Sequence, residues 1–251
     1  MKTYGLIGNP LTHSFSAAYF SEKFRREKIC GVQYRNFPLA DIHDFPHLLA
    51  AVPDLAGLNV TIPYKESVIP FLDELDTEAE AVGAVNVVCF LPDRRTRGYN
   101  TDVTGFRKAL EPYLKPVHRK ALILGTGGAS RAVARVLEQM HIPFLFVSRT
   151  PVNERETGYG DLNEEIIRSH LLIVQTTPLG MAPDTGRCPP IPYRALGNDH
   201  LLFDLIYNPE VTRFMQKGAE QGAAVVNGLE MLKIQAEESW MLWNNVSRSV
   251  T

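Results

Sequence analysis

The chain has 251 residues, 45% of them hydrophobic and 22% charged, with a formal net charge of -2. That length allows one large domain or two smaller ones, each with its own core. The near-neutral balance leaves neither a basic stripe for nucleic acid nor an acidic tail, so the expected partner is a small molecule.

TYGLIGNP (3–10) reads as a short buried strand ending in a Gly-Asn-Pro turn. A helix is expected through AAYFSEKFRREKI, with Phe20 and Phe24 four apart on one face. VQYRNFPL (32–39) alternates as a second strand, residues 41–52 as a helix, and GLNVTIP as a third strand in which Leu58, Val60 and Ile62 face inward. KESVIPFLDEL and the EAEAVGA region are expected to be helical, with Pro70 interrupting the first. AVNVVCFL (84–91) gives a fourth strand, DRRTRG a turn, and GYNTD closes the segment.

A second pattern begins near residue 103. TGFRKALEPYL is helical, KALILG (120–125) is a dense apolar strand, and GGASRAVARVLEQM is a helix with Ala129, Val133, Val136 and Leu137 inward. PFLFVSRT, LLIVQTTP, HLLFDLIYNP and AAVVNG continue as strands, and NGLEMLKIQAEESWMLWN ends as a long helix. Strands alternating with helices predict α/β sheets covered by helices, with a boundary near residues 102–104.

Cys30, Cys89 and Cys188 are far apart and form no CxxC or Cys/His cluster. Neither a zinc site nor a disulfide framework is expected, and a reducing, cytoplasmic setting fits. The stretch MKTYGLIGNPLTHS lacks the apolar run of a signal peptide. No segment approaches the roughly 18 apolar residues that span a bilayer, so no membrane partner is expected.

ILGTGGAS joins a strand to a helix inside a βαβ unit, the setting a dinucleotide turn requires. Gly125 permits the sharp turn, Gly127 allows close approach to a pyrophosphate, and the helix N-terminus offers unpaired N–H groups to it. The third small position is Ser130 rather than glycine. The next strand ends in Ser148-Arg149-Thr150, without the carboxylate that would hold an NAD ribose. A guanidinium there suits a 2′-phosphate and favours NADP; the bland alternative is a solvated surface arginine.

Polar residues recur beside turns in the first half: Ser14 and Ser16, Asn59 and Thr61 with Lys65, Asn86, and Asn100-Thr101-Asp102. Ligands gather at the carboxyl ends of strands in open α/β sheets, and this set suits a small polyhydroxy acid. Singly, Ser16 reads equally as a helix cap and Lys65 as a surface lysine.

GNPLTHSFS, GLNVTIPYK, AVGAVNVV, GYNTDVTGF, LGTGGASRA, SRT, DLIYNP and NGLEMLKIQA occur in that order. With them the chain resembles the shikimate dehydrogenase family over almost its whole length. The resemblance implies an N-terminal α/β substrate domain with a mixed sheet (1–102, joined by the C-terminal helix 229–251) and a C-terminal Rossmann dinucleotide-binding domain (103–228). It implies NADPH-dependent reduction of 3-dehydroshikimate to shikimate on the route to chorismate and aromatic amino acids. By the same resemblance Lys65 and Asp102 are the catalytic pair. Ser14, Ser16, Thr61, Asn86, Tyr207 and Gln235 are substrate ligands, with Asn59 in support. Gly125, Thr126, Gly127, Gly128 and Ala129 form the pyrophosphate loop, and Ser148, Arg149 and Thr150 the adenosine-phosphate clamp. Leu205 and Gly228 lie beside the nicotinamide, no metal is implied, and the chain is a monomer or homodimer. The chain departs from the usual pattern at AAYFS after the second serine, at Asn153 and at Val103. Rival readings are a quinate/shikimate dehydrogenase with relaxed cofactor use and a non-catalytic, ligand-sensing relative.

Overall fold

A computed structural model describes residues 1–11 and 15–246. The chain divides into two compact units, Met1–Thr101 with Gln235–Thr251, and Asp102–Ile234.

In the first unit the chain forms β1 (Lys2–Gly8), α1 (Phe15–Arg26), β2 (Val32–Pro38), α2 (Phe45–Ala51), β3 (Leu55–Val60), β4 (Glu74–Leu75), α3 (Thr77–Val82), β5 (Val87–Phe90) and β6 (Thr96–Tyr99). The sheet runs β2-β1-β3-β5-β6-β4. Strands β1, β2 and β3 are parallel, whereas β5 is antiparallel to both β3 and β6, so the sheet is mixed. Strand side chains alternate between faces and each face meets its own core. One face carries Ile7, Leu58, Val60 and Phe45, and the other Leu6, Phe20, Tyr34, Val87 and Trp243. Gly57 makes room on the second face, because a Cβ there would lie 2.3 Å from the Trp243 indole nitrogen. That nitrogen donates to the Val88 carbonyl at 3.1 Å.

Several local expectations give way. Helix α1 begins at Phe15, so Ser16 lies inside its first turn rather than capping it. Residues 65–75 form no α-helix but a 3-10 turn at Ile69–Phe71 and the two-residue β4, since proline supplies no N–H donor and disfavours helix before it. Ile62 is 64% exposed because β3 has already ended at Val60. Strand β6 forms where only a turn and a closing segment are expected; Gly98 fits there because a Cβ would crowd Val85, Leu72 and Leu75.

The second unit contains α4 (Asp102–Leu110), β7 (Ala121–Leu124), α5 (Gly128–Gln139), β8 (Phe144–Ser148), β9 (Glu156–Gly158), α6 (Glu164–Ser169), β10 (Leu172–Gln175), β11 (Leu201–Asp204), α7 (Arg213–Ala219), β12 (Ala224–Val226) and the start of α8 (Leu229–Val246). Its sheet runs β12-β11-β10-β7-β8-β9 with every neighbouring pair parallel, a Rossmann-like order. Strands β7, β10 and β11 are buried at every residue, which is why they read as continuous apolar runs. On α5, Val133, Val136 and Leu137 are fully buried, while Ala129 in the first turn is only half-buried. Strand β9 and helices α6 and α7 add to the sequence expectation. Asn163 caps α6 by accepting from the Ile166 N–H, and Thr212 caps α7 by accepting from the Met215 N–H.

Buried His118, His170 and His200 precede β7, β10 and β11. The Lys115 N–H donates to His118 Nδ1 at 3.0 Å, leaving Nε2 to donate to the Asp199 carbonyl at 3.1 Å. His200 repeats this arrangement with the Gly197 N–H and the Ile167 carbonyl. Burial pushes the His118 and His170 pKa values down.

Candidate functional site

In the first unit, polar side chains from distant segments interlock at the end of β3. The Tyr34 hydroxyl donates to Asn59 Oδ1 at 2.8 Å. Asn59 Nδ2 donates to Ser239 Oγ at 2.9 Å and to the Asn86 carbonyl at 3.3 Å. Asn86 Nδ2 donates to Thr101 Oγ1 at 3.0 Å and to Gln235 Oε1 at 3.1 Å, while its Oδ1 accepts from the Thr101 N–H at 2.7 Å. The main-chain carbonyl of Gln235 accepts from both Thr101 Oγ1 and Ser239 Oγ. Ser16 is hydrogen-bonded to the Tyr34 hydroxyl. Buried amides and hydroxyls must find partners, and here they find one another. Of the expected set, Ser16, Asn59, Asn86 and Gln235 are thus brought together; Ser14 lies outside the described residues.

Thr61 and Lys65 stand on the turn after β3. The Thr61 N–H donates to the Ile7 carbonyl, the Tyr64 N–H returns to the Thr61 carbonyl, and the Tyr64 hydroxyl donates to Leu39. The Lys65 carbonyl accepts from the Val85 N–H at 2.7 Å, one residue from Asn86. Lys65 itself is half-buried. Helix α8 is fastened in this unit by buried Lys23, which donates to Glu237 at 2.8 Å and to Glu27 at 3.0 Å, and by the Tyr19 hydroxyl, which donates to Glu237.

In the second unit, Asp102 opens α4 and is only 2% exposed, at a helix end whose partial positive charge suits a carboxylate. Gly125 follows β7 at φ +114°, where a Cβ would press on Thr176 and Thr177 beyond β10. Strand β7 lies between β8 and β10, so this turn sits where the strand order reverses, the place open α/β sheets bind ligands. The N-cap of α5 is Gly127, which supplies no side-chain cap; the first turn has no acidic residue, and a Cβ at Gly127 would meet nothing within 4 Å. A helix start without a side-chain cap, beside open space at Gly127, fits a dinucleotide pyrophosphate.

At the end of β8, the Thr150 N–H donates to Ser148 Oγ at 3.2 Å, and Arg149 and Thr150 are exposed. Leu205 and Gly228 are brought into backbone contact. A Cβ on Gly228 would fall 2.1 Å from the Leu205 carbonyl oxygen, and the Gly228 N–H donates to Ile206. Tyr207 follows, half-buried. Asp204, fully buried, braces this turn by accepting from the Ile206 N–H at 3.0 Å and Thr212 Oγ1 at 2.6 Å. Burial pushes its pKa up to about 6, partly offset by those two donors.

Sequence reasoning alone passed over Tyr34, Ser239, Thr176, Thr177 and Asp204. Asp204 carried a signal, as the first residue of DLIYNP; Tyr34 and Ser239 looked like ordinary strand and helix residues. Among the described residues no His, Cys, Asp and Glu group is arranged to hold a metal ion. No helix among them is long and apolar enough to cross a membrane.

A family profile described as the shikimate dehydrogenase substrate binding domain matches residues 6–88. A curated relative from Carboxydothermus hydrogenoformans, named shikimate dehydrogenase (NADP(+)), is 36% identical over 267 residues, covering 99% of this chain and 94% of its own. The crystal structure of shikimate dehydrogenase from Aquifex aeolicus superposes with a TM-score of 0.86 at 31% identity, covering 100% of this chain and 97% of that one. The Thermus thermophilus shikimate 5-dehydrogenase, solved in complex with NADP(H) and shikimate, gives a TM-score of 0.85 at 30% identity, with 98% and 94% coverage. Likeness of this extent takes in the mixed sheet, the parallel sheet and the returning helix alike, and the chain belongs to the shikimate dehydrogenase family.

Proposed function

We propose that the chain interconverts 3-dehydroshikimate and shikimate with NADPH, as an oxidoreductase acting on a CH–OH group in aromatic amino acid and chorismate biosynthesis. The observation that carries this reading is the pairing of two differently built constellations in one chain. One is a closed set of hydroxyls and amides suited to a polyhydroxy acid, and the other is an uncapped glycine turn suited to a dinucleotide. The full-length likeness to enzymes named for this reaction supports it.

In this reading the substrate ligands are Ser14, Ser16, Thr61, Asn86, Tyr207 and Gln235. Asn59 serves in support, since Tyr34, Ser239 and the Asn86 carbonyl engage its amide. The pyrophosphate is held at Gly125–Ala129, the 2′-phosphate at Ser148–Thr150, and the nicotinamide beside Leu205 and Gly228. The nicotinamide supplies the hydride when bound. Lys65 gives a proton to the oxygen that becomes the hydroxyl and stabilises negative charge developing on it. The Asp102 carboxylate completes the pair and orients the substrate hydroxyl. The seat of Lys65 explains its part: a short turn locked to β1 and to Val85 gives a flexible side chain a fixed origin. A cytoplasmic setting, with Cys30, Cys89 and Cys188 kept as thiols, belongs to the same reading.

The test is the change in nicotinamide absorbance on mixing the protein with shikimate and NADP+, with quinate and NAD+ as comparison arms. Fast turnover on the first pair is expected. No absorbance change with any pair would overturn the reading, and equal rates with quinate would replace it by the broader dehydrogenase.

A further inference from the structure

Tyr34 and Ser239 take no part in the expected substrate contacts, yet both terminate on residues that do. The Tyr34 side chain is sealed in the aromatic core, its ring stacked on Phe20 at 4.7 Å and next to Trp243. Its hydroxyl reaches out of that core to two groups: it donates to Asn59 Oδ1 and is hydrogen-bonded to Ser16. Having one proton, committed to Asn59, it receives that of Ser16. Ser239, fully buried, receives from Asn59 Nδ2 and passes its own proton to the main-chain carbonyl of Gln235, one turn back on α8, so that Asn59 is tied to the helix backbone from which the Gln235 side chain projects. A continuous chain of hydrogen bonds therefore runs from Ser16 on α1, through β2 and β3, to Gln235 on α8.

We propose that Tyr34 and Ser239 are positioning residues, which set Ser16 and Gln235 at a fixed separation through the Asn59 amide and so determine affinity for the substrate. This inference rests on the proposed role of Ser16 and Gln235 as substrate ligands. The chemistry favours rigidity here. An asparagine amide can rotate by half a turn, exchanging its oxygen and nitrogen. A phenolic donor on one side and a hydroxyl acceptor on the other define its orientation. Removing the Tyr34 hydroxyl takes the donor from Asn59 Oδ1, and removing the Ser239 hydroxyl leaves Asn59 Nδ2 only its longer bond to the Asn86 carbonyl, so either change loosens the hold on the amide.

The experiment is steady-state kinetics on the full chain carrying Tyr34→Phe, Ser239→Ala, or both, with thermal unfolding alongside. Tyr34→Phe keeps the stacked ring and removes only the hydroxyl. Each single variant is expected to raise KM for shikimate about ten-fold, the worth of one buried hydrogen bond, with kcat within about three-fold and KM for NADP+ within about two-fold. Because both residues act through one amide, the double variant should lose far less than the product of the two single losses. A lowered melting midpoint with shikimate KM unchanged overturns the proposal, as does an equal rise in KM for NADP+. Losses that simply multiply overturn the shared route through Asn59. Ser16→Ala and Gln235→Ala separate the two levels of inference. If they leave shikimate KM unchanged, the ligand assignment falls and this proposal with it. If they raise it while Tyr34→Phe and Ser239→Ala do not, only the positioning role falls.

Discussion

The two constellations are organised by opposite means. In the first unit, side chains hold side chains: Asn59, Asn86, Thr101, Ser239 and Gln235 are each engaged by at least one other member. In the second, the turn after β7 is shaped by what is missing, a glycine at φ +114° and a helix start with no side-chain cap. The difference teaches that a polyhydroxy acid and a pyrophosphate make different demands. A ring with several hydroxyls is told from its isomers only by donors and acceptors placed in a rigid set. A pyrophosphate needs close approach of backbone N–H groups, which any side chain would obstruct.

That contrast breaks first at Lys65. Lys65→Ala should lower kcat by roughly 10²- to 10⁴-fold, the span of a lost proton donor, with a much smaller change in KM for shikimate; stopped-time product assays measure it, and near-normal turnover would refute the assignment. The cofactor side offers the next test. Arg149→Ala should cut the preference for NADP+ over NAD+ by about 10- to 100-fold, as expected for a lost charge-assisted bond to the 2′-phosphate. Comparing kcat/KM for the two cofactors decides this. Gly127→Ala is subtler. Its φ of -82° suits alanine and a Cβ there meets nothing within 4 Å. Thermal stability should therefore hold while the dissociation constant for NADP+, read by calorimetry, rises about ten-fold. Loss of stability with unchanged binding would mean that the open space is not a phosphate seat.

The smallest effect is on acid stability, and the second unit should show it. His118 and His170 are kept neutral by burial, with folded pKa values below the ordinary value of about 6.5. Their contribution is complete above that value and is lost as pH falls through it toward the depressed folded values. Lys115, near His118, and Lys120, near His170, push in the same direction, whereas Asp199 favours the charged His118. Asp204 opposes the trend, because a carboxyl raised to about 6 takes up its proton in the fold before it does in the unfolded chain. The urea midpoint should thus fall modestly between about pH 7.5 and about pH 5.5, and replacing both histidines by glutamine should flatten the slope. An identical slope in the double variant would remove the histidines from the account.

Much of this organisation was legible in the sequence because it rests on local rules. The apolar runs of β7, β10 and β11 announced strands buried on both faces, and the glycines after β7 announced the tight turn that Gly125 makes at φ +114°. What escaped was set by distance. Residues 65–75 looked helical by composition, but Pro70 and pairing of Glu74 and Leu75 with β6 made them a turn and an edge strand. Ile62 kept the alternation of β3 on paper although the strand stops two residues earlier. Tyr34 and Ser239 lie 25 and 180 positions from the asparagine they share. No local pattern can signal such a pair, and only the folded sheet brings them to one amide.

The last helix has a further consequence for how the protein is made. The first unit draws on residues 1–101 and then on residues from 235 onward, whereas the second is one uninterrupted stretch. As the polypeptide leaves the ribosome, its leading segment emerges with the notch at Gly57 unfilled and the aromatic layer of Phe20 and Tyr34 open. The indole of Trp243 arrives only after the intervening stretch has been synthesised. Vectorial synthesis therefore imposes an order, in which the nascent parallel sheet can mature first and the unit with the mixed sheet is sealed last.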